Sequence, residues 1–479
     1  MTQTAEVLNF RPHTKARIIF ERQKAACQKQ PFLALAERLA VLQKIESILI
    51  DHQEAIADAI CGDFGHRSRH ETKILEIFPV VSGLRHTRRH LKKWMKPQRR
   101  HVALHFAGAR NRVIPQPKGV VGIIAPWNYP LFLVLSPLTS ALAAGNRCMI
   151  KMAADSQRLC NLLNDLFRRA FADDLLAVLP GVSAADFTPL PFDHLIYTGS
   201  PASGRTVMKT AADNLTPVTL ELGGKSPTII CDDFDIHTAA ERILQAKFMN
   251  AGQTCVAPDY LFLPQNRVDD FIDEARRIVP GRYPRLDSAD YTAIIDAGSY
   301  RRLTALLDEA RSGGAEIINL LPGAAPDEAG RKIPPTLVRN VHDAMALMQH
   351  EIFGPILPIK TYRRLEDAIA YVNARERPLA LCLFSNDKRR QEMVVRQTMS
   401  GGVSINDCAM HVAQHDMPFG GIGNSGMGQY HGREGFMAFS KLRPVFRQAA
   451  RPVGAAFLYP PYGKMFDRVY KLLIRLRWI

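Results

Sequence analysis

The chain has 479 residues, 47% hydrophobic and 23% charged, the balance of a globular enzyme with more than one core rather than a fibre or a disordered tail. Its net charge is +16, from 62 basic and 46 acidic residues, and the excess is concentrated, since no Asp or Glu occurs between Ile77 and Ala154. The eight cysteines (27, 61, 148, 160, 231, 255, 382 and 408) form no CxxC pair, which argues against a disulfide framework or a zinc site and for a reducing, cytoplasmic setting with no metal. The first residues lack a basic segment leading into an apolar core, so no signal peptide is expected. No apolar run reaches the roughly 18–20 residues that cross a bilayer.

Residues 13–60 read as helices, with Leu35, Leu39, Leu42, Ile45 and Leu49 near a 3.6 period. Residues 71–96 continue as a helix with a basic end, Arg85 to Lys93 and Lys96 to Arg100. Alternation through His101-Val102-Ala103-Leu104-His105-Phe106 predicts an exposed strand or hairpin over 97–114. The pattern then changes. Val120–Ile124, Cys148–Ile150, Leu195–Tyr197 and Val218–Leu220 read as buried strands, and Leu131–Ala144, Ser156–Phe171 and Ser203–Ala212 as the helices between them. Such alternation predicts an α/β fold with a Rossmann-like parallel sheet that binds ligands at the carboxyl ends of its strands. After Gly223-Gly224 the alternation resumes with Thr228–Cys231, Tyr260–Leu263, Glu316–Ile318 and Ile356–Ile359, a second α/β domain. Residues 321–334 read as a surface loop, and Met417–Gly428, with its glycines, as a tightly specified loop.

Four loops carry residues suited to chemistry. Cys255, in Asn250-Ala251-Gly252-Gln253-Thr254-Cys255, lies between a helical pattern and a strand, where a nucleophile would sit. Glu221 stands at a strand end before Gly223-Gly224, where burial would raise its pKa and suit it to general-base work. Asn128, at another strand end, could donate to an oxyanion. Gly199-Ser200-Pro201-Ala202-Ser203-Gly204 follows a strand and opens a helix, so its N–H groups could face a phosphate. Taken singly, each has a plainer reading: a core thiol, a capped Glu, a turn Asn, an ordinary strand-to-helix turn.

Together, and in this order, these blocks resemble the NAD(P)-dependent aldehyde dehydrogenase superfamily. The resemblance runs from about residue 15 to 465 and includes Lys151, Glu351-Ile352-Phe353-Gly354-Pro355, and the 34-residue interval between Glu221 and Cys255. Gly252 to Tyr260, and Pro418 to Gly428 with Tyr430-His431-Gly432, are similar to the class 3 branch. Asp63 to Ser68 with Glu71-Thr72 further resembles bacterial coniferyl aldehyde dehydrogenases.

The resemblance implies a Cys255 nucleophile, a Glu221 base and an Asn128 oxyanion donor. It implies cofactor contacts from Trp127, Lys151, Gly199, Ser200, Gly204, Leu222, Gly223, Glu351 and Phe353. Substrate would be a hydrophobic aldehyde, aromatic (coniferyl) or medium- to long-chain alkyl, lined by Tyr129, Phe132, Ile405, Met410, His411 and Phe419, of which His411 is better suited to a structural role. The family commonly has Glu three residues after the lysine, where it repels a 2′-phosphate. Here that place holds Ala154, so NADP is expected to serve beside NAD. A coenzyme A-acylating dehydrogenase, or a cysteine thioesterase or acyl transferase without redox chemistry, stays open as an alternative.

The expected division is 1–96 with 115–221 for the cofactor, 222–416 for the nucleophile, 97–114 with 429–450 for subunit contact in a homodimer, and 451–479 as a basic tail. That tail, with Met465, Phe466, Val469, Leu472, Leu473 and Leu476 at helical spacing among Lys464, Arg468, Lys471, Arg475 and Arg477, suits a packed helix or an anionic membrane surface. Without a recognition module, nucleic acid is not an expected partner.

Overall fold

A computed structural model describes residues 14–103, 106–450 and 459–475. Two mainly parallel sheets and one small antiparallel sheet organise them. The first has six strands in the order Gly426–Met427, Val218–Leu222, His194–Gly199, Val120–Ala125, Arg147–Met152 and Leu176–Val178. All its pairings are parallel except the first, in which Gly426 lies opposite Glu221. The second has seven, in the order Glu316–Asn319, Thr336–Arg339, Ile356–Tyr362, Tyr260–Pro264, Pro227–Ile230, Ala380–Phe384 and Gly402–Ile405. The α/β fold with parallel sheets is therefore as the alternating pattern predicts. The run Val120-Val121-Gly122-Ile123-Ile124-Ala125 is buried throughout, as a strand covered on both faces must be.

The Phe132–Ala143 helix is buried on every side, which explains its uniform apolarity; each large side chain so buried stabilises by about 1.5–3 kcal/mol. It packs under the Phe78–Trp94 helix, whose Val80, Val81, Leu84, Leu91 and Trp94 face inward while its basic residues face out. One turn before that helix is wound as a π-helix, Lys73–Ile77.

The third sheet joins Gln98–Arg100, Arg110–Pro117 and Ser440–Arg447, all antiparallel. The hairpin expected at 97–114 is present, but its strands flank the alternating His101–Phe106 stretch: His101, Val102 and Ala103 are in no strand, and Leu104 and His105 lie outside the described residues. The Gly-rich 417–428 segment is not all loop either, since Gly426–Met427 joins the first sheet. Several elements are new relative to the sequence reading, among them the Thr336–Arg339, Ala380–Phe384 and Gly402–Ile405 strands and the Val268–Arg282 helix. The Lys464–Arg475 helix has no buried residue; Leu476 and Arg477 lie outside the described residues. Among the described residues no helix is long and apolar enough to cross a membrane, and no cluster of three or more His, Cys, Asp or Glu could hold a metal ion.

Candidate active site

Glu221 and Asn128 are carried by neighbouring regions of one sheet. Glu221 is on the Val218–Leu222 strand, and Asn128 follows the Val120–Ala125 strand. Both strands run the same way, so their carboxyl ends open on one edge of the sheet. Cys255 reaches that edge from the other sheet, on the loop between the Ile236–Phe248 helix and the Tyr260–Pro264 strand. The three side chains meet in a cavity of about 220 Å³, whose walls also include Trp127, Gly199, Ser200, Leu222, Gly223, Glu351, Phe353 and Phe419.

The cysteine loop is held in an uncommon shape. Asn250, Ala251 and Gly252 are consecutive residues with φ of 52°, 51° and 75°, a left-handed run that costs non-glycine residues of order 1 kcal/mol each. Side chains fix it. Asn250 donates through Nδ2 to the carbonyls of Asn128 (3.0 Å) and Gln253 (3.2 Å). Gln253 donates to Asn250 O and Ala293 O and accepts from Ile295 N–H, all at 3.0 Å. The Asn250 N–H donates to Glu71 Oε2 at 2.9 Å. A Cβ on Gly252 would run into the Gly354 carbonyl, so this position also needs glycine for close approach. Asn128 is 3% exposed, and its Nδ2 donates to Gln253 O at 3.1 Å. An amide has two N–H groups, so one is committed to the loop and the second is available to the cavity.

The electrostatics are those of a dry, acidic site without a cation beside the sulfur. Burial, and then Glu351 and Glu221, push the Cys255 thiol up to about 12, against smaller help from the Cys255 and Val256 N–H groups. Burial raises Glu221 well above the usual carboxylate range, opposed by one backbone N–H, that of Gly421. Neither Glu221 oxygen has a well-formed hydrogen bond. Burial and neighbouring Asp259 raise Glu351 to about 8.

On the opposite wall, Ser200 caps the Pro201–Ala212 helix through its Oγ, which accepts from Ser203 N–H at 3.3 Å, so a helix N-terminus opens at the cavity rim. A Cβ on Gly199 would collide with the Tyr197 hydroxyl, one on Gly204 with Leu222, and one on Gly223 with the Glu351 carboxylate. These glycines let Tyr197, Leu222 and Glu351 pack directly against the backbone. The Trp127 ring meets Phe353 edge-on at 5.6 Å. Lys151, outside the cavity at the end of the Arg147–Met152 strand, is half-buried and spends one N–H on the Met152 carbonyl at 3.1 Å, leaving two for a ribose hydroxyl.

Of the side chains expected to line the substrate, Phe419 lines the cavity. The others do not reach the cavity. Tyr129 is 7% exposed and its hydroxyl is bonded to Thr254 Oγ1 at 2.7 Å, so it braces the cysteine loop. Phe132 is equally buried and packs edge-on to His431 at 5.9 Å. Ile405 (42% exposed) and Met410 (43%) lie on the outer surface, because one ends an edge strand and the other opens a short turn after left-handed Ala409. His411 is tied to Ser404 Oγ at 2.9 Å and fills the space left by Gly402, a structural role.

The structure adds groups that the sequence reading did not assign. Arg67, fully buried, pairs with Glu76 at 2.8 Å and donates to Asn128 O at 3.0 Å. Lys225 pairs with Asp259 at 2.5 Å and donates to Leu347 O at 2.6 Å, while Asp259 Oδ1 accepts from Ile352 N–H at 2.9 Å; this pair holds the Glu351 segment against the cysteine loop. Arg67, Glu71 and Asp259 fall inside phrases that carry the family resemblance, and Lys225 directly follows Gly223-Gly224.

A cysteine facing an unpaired carboxylate and an amide, beside a cleared helix N-terminus, defines a thiol-dependent enzyme working on a carbonyl next to a dinucleotide. The profile of the aldehyde dehydrogenase family matches residues 6–445, and the chain belongs to that family. It is 50% identical over 462 residues to a probable coniferyl aldehyde dehydrogenase of Pseudomonas aeruginosa, covering 95% of this chain and 96% of the relative. It is 45% identical over 461 residues to a coniferyl aldehyde dehydrogenase of a Pseudomonas species, covering 95% of each. The substrate-bound state of Staphylococcus aureus AldH superposes with a TM-score of 0.90 at 35% identity, over 96% of this chain and 100% of that one. The protein is thus an aldehyde dehydrogenase that uses NAD(P)+ and passes through a cysteine thiohemiacetal and thioester.

Proposed function

We propose that this chain oxidises a hydrophobic aromatic aldehyde of the coniferyl type to its acid, with Cys255 as nucleophile, Glu221 as general base and Asn128 as oxyanion donor. The observation that carries the reading is Glu221: a fully buried carboxylate, without a well-formed hydrogen bond, opening on the same cavity as the thiol. The apolar walls outside the cofactor groove (Leu133 and Phe419) suit a hydrophobic aldehyde, and the relatives at 45–50% identity bear the coniferyl name. A medium- or long-chain alkyl aldehyde is the second class such walls accept.

Glu221 takes the thiol proton as the sulfur attacks the aldehyde carbon, and the second Asn128 N–H with the Cys255 N–H receives the oxyanion. Bound NAD(P)+ supplies a hydride acceptor. Collapse of the oxyanion as the hydride leaves gives the Cys255 thioester. Glu221, having released its first proton to solvent, removes one from water as that water attacks the thioester carbonyl; the carbon–sulfur bond breaks, the carboxylic acid leaves and Glu221 returns the proton to the sulfur. A free base at this position favours water over coenzyme A as acceptor. Ser200 and the helix behind it would hold the pyrophosphate, Lys151 the adenosine ribose and Glu351 the nicotinamide ribose, with Trp127, Gly199, Gly204, Leu222, Gly223 and Phe353 shaping the groove. Ala154 presents no carboxylate to a 2′-phosphate, which supports use of NADP as well as NAD. Glu221→Gln is expected to lower turnover by roughly 10²–10⁴-fold while dinucleotide binding persists. Near-normal turnover would refute the assignment.

We also read 1–96 with 115–221 as the cofactor domain, 222–416 as the catalytic domain, and 97–114 with 429–450 as the contact of a homodimer. The open edges of the three-stranded sheet support that contact. The exposed, basic and amphipathic Lys464–Arg475 helix supports peripheral attachment of a cytoplasmic enzyme to an anionic membrane. Vesicle co-sedimentation of the full chain against one ending at Tyr462 tests the attachment.

A further inference from the structure

Ile352 separates two residues proposed to meet the dinucleotide, Glu351 and Phe353, whose side chains both line the main cavity. It is fully buried, and both of its backbone polar groups are held by charged side chains from other elements. Its N–H donates to Asp259 Oδ1 at 2.9 Å, and its carbonyl accepts from Arg302 Nη2 at 2.7 Å. Asp259 stands four residues after Cys255, and Arg302 lies on the Ala297–Ser312 helix. The two hands on Ile352 thus come from 93 and 50 residues away in the chain.

The Asp259 side of this grip is itself braced. Asp259 is 4% exposed. Its Oδ2 pairs with Lys225 at 2.5 Å, and its N–H donates to Ser226 O at 2.8 Å. Lys225 gives its other two N–H groups to Leu347 O and His350 O, at 2.6 and 3.1 Å. The ammonium and the carboxylate therefore hold the segment at 347, 350 and 352, through charge-assisted bonds that are shorter and stronger than neutral ones. The segment needs that support. Phe353 has φ of 51°, a left-handed conformation that a bulky residue rarely adopts and keeps only where its surroundings impose it. In that conformation its ring meets Trp127 at 5.6 Å. Space is tight on both flanks: the Glu351 carboxylate lies where a Cβ on Gly223 would be, and the Gly354 carbonyl where one on Gly252 would be. Burial and Asp259 raise Glu351 to about 8, while the Gly224 N–H, Lys225 and Arg302 oppose that rise, so both cations that hold the segment also stand near its carboxyl.

We propose that Asp259 and Arg302 are positioning residues for the dinucleotide: by fixing the two backbone polar groups of Ile352 they set where the Glu351 carboxylate meets the nicotinamide ribose and where the Phe353 ring stands. The proposal rests on the reading of Glu351 and Phe353 as cofactor contacts and deepens it. Contacts held in place beforehand cost the ligand nothing to order. Released on either side of Ile352, the segment must be ordered by the dinucleotide itself, and affinity falls. Asp259 does this from the nucleophile's own loop, whereas Arg302 does it from an exposed helix position, so removing Arg302 leaves no buried charge unpaired.

The test measures the Kd of NAD+ by quenching of tryptophan fluorescence, since Trp127 is part of the cavity wall, beside steady-state kinetics. It compares the wild type, Arg302→Met, Asp259→Asn and the double variant. R302M is expected to raise Kd and the KM for NAD+ about 5-fold, and D259N about 10-fold, with the KM for the aldehyde within roughly twofold of wild type. Because both side chains act through one residue, the double variant is expected to lose less than the product of the single losses. A loss of stability alone would lower the melting temperature and the active fraction without moving Kd. Should D259N fail to fold because it strands Lys225, R302M carries the test by itself. A Kd within about twofold of wild type in R302M, or fully multiplicative losses in the double variant, overturns the proposal while leaving the dehydrogenase reading intact. A wild type that binds no dinucleotide and yields no reduced nicotinamide with any aldehyde would instead sink the proposed function itself.

Discussion

Replacing Arg67 by Met tests how the site is held from behind. The change removes a 2.8 Å ion pair with Glu76, in which both side chains are 0% exposed. It removes the 3.0 Å bond to Asn128 O and the cation lying 4.9 Å from the centre of each of the Phe64 and Tyr129 rings. Glu76 cannot follow into solvent, because its Oε2 accepts from Leu131 N–H (2.7 Å) and Phe132 N–H (3.1 Å). Burial already raises its pKa. Breaking a buried pair on one side costs about 3–5 kcal/mol, and that is the loss expected for Arg67→Met. Glu76→Gln alone leaves the guanidinium unpaired and costs a similar amount. In the double variant no charge is stranded, so its loss is expected to fall short of the sum of the singles by about 2 kcal/mol. Urea unfolding of the four proteins, with activity as a second readout because Arg67 holds the Asn128 carbonyl, measures the cycle. Additive losses would refute the claim that the pair is a unit.

Three further outcomes follow from the same geometry. Glu221 acts as a base only when deprotonated, and burial lifts its pKa, so turnover is expected to rise with pH through an inflection above the ordinary carboxyl range and to fall away on acidification; a kcat profile with its inflection near 4.5 contradicts this. Gly252→Ala places a Cβ at φ +75° against the Gly354 carbonyl, which is expected to destabilise by more than about 1 kcal/mol and to cut turnover, read by thermal denaturation and a rate assay. With Ala154 in place of a carboxylate, NADP is expected to support oxidation at a sizeable fraction of the NAD efficiency, and less than a few per cent in parallel kinetics would show that other groups exclude the 2′-phosphate.

The chemical centre was legible because each of its parts is a local phrase. Cys255, Glu221 and Asn128 stand at strand ends or between packed elements, and a parallel sheet brings strand ends to one edge whatever the details. The clamps were not legible. Arg67 and Asn128, Glu71 and Asn250, and Lys225 and Leu347 are 61, 179 and 122 residues apart, and nothing in a local pattern pairs them. Most of the expected substrate-wall residues do not line the cavity, for a different reason. Tyr129 and Phe132 are aromatic residues close to Asn128, but they sit at or just before the start of a helix buried on all sides, so packing turns them inward. Ala380–Phe384 is a short, fully buried apolar run, which periodicity alone does not tell from a buried helix segment.

The arrangement also explains why the nucleophile can be stored safely. Burial, with Glu351 and Glu221 nearby, pushes the thiol up to about 12, so the protein around it favours the neutral thiol over the reactive thiolate. Among the described residues its charged neighbours, Glu351 and Glu221, both oppose ionisation. On the proposed reading, reactivity comes from transferring the proton to Glu221 during attack, when the proposed oxyanion donors take up the developing charge. The same raised carboxyl that is a sluggish acid–base group in water is then matched to both tasks, receiving a proton from sulfur and later one from water. A lysine or arginine placed beside Cys255 would stabilise the thiolate at rest, but it would also stabilise a carboxylate at Glu221 and lower its strength as a base for the hydrolytic step. Burial of two acids around one thiol avoids that conflict.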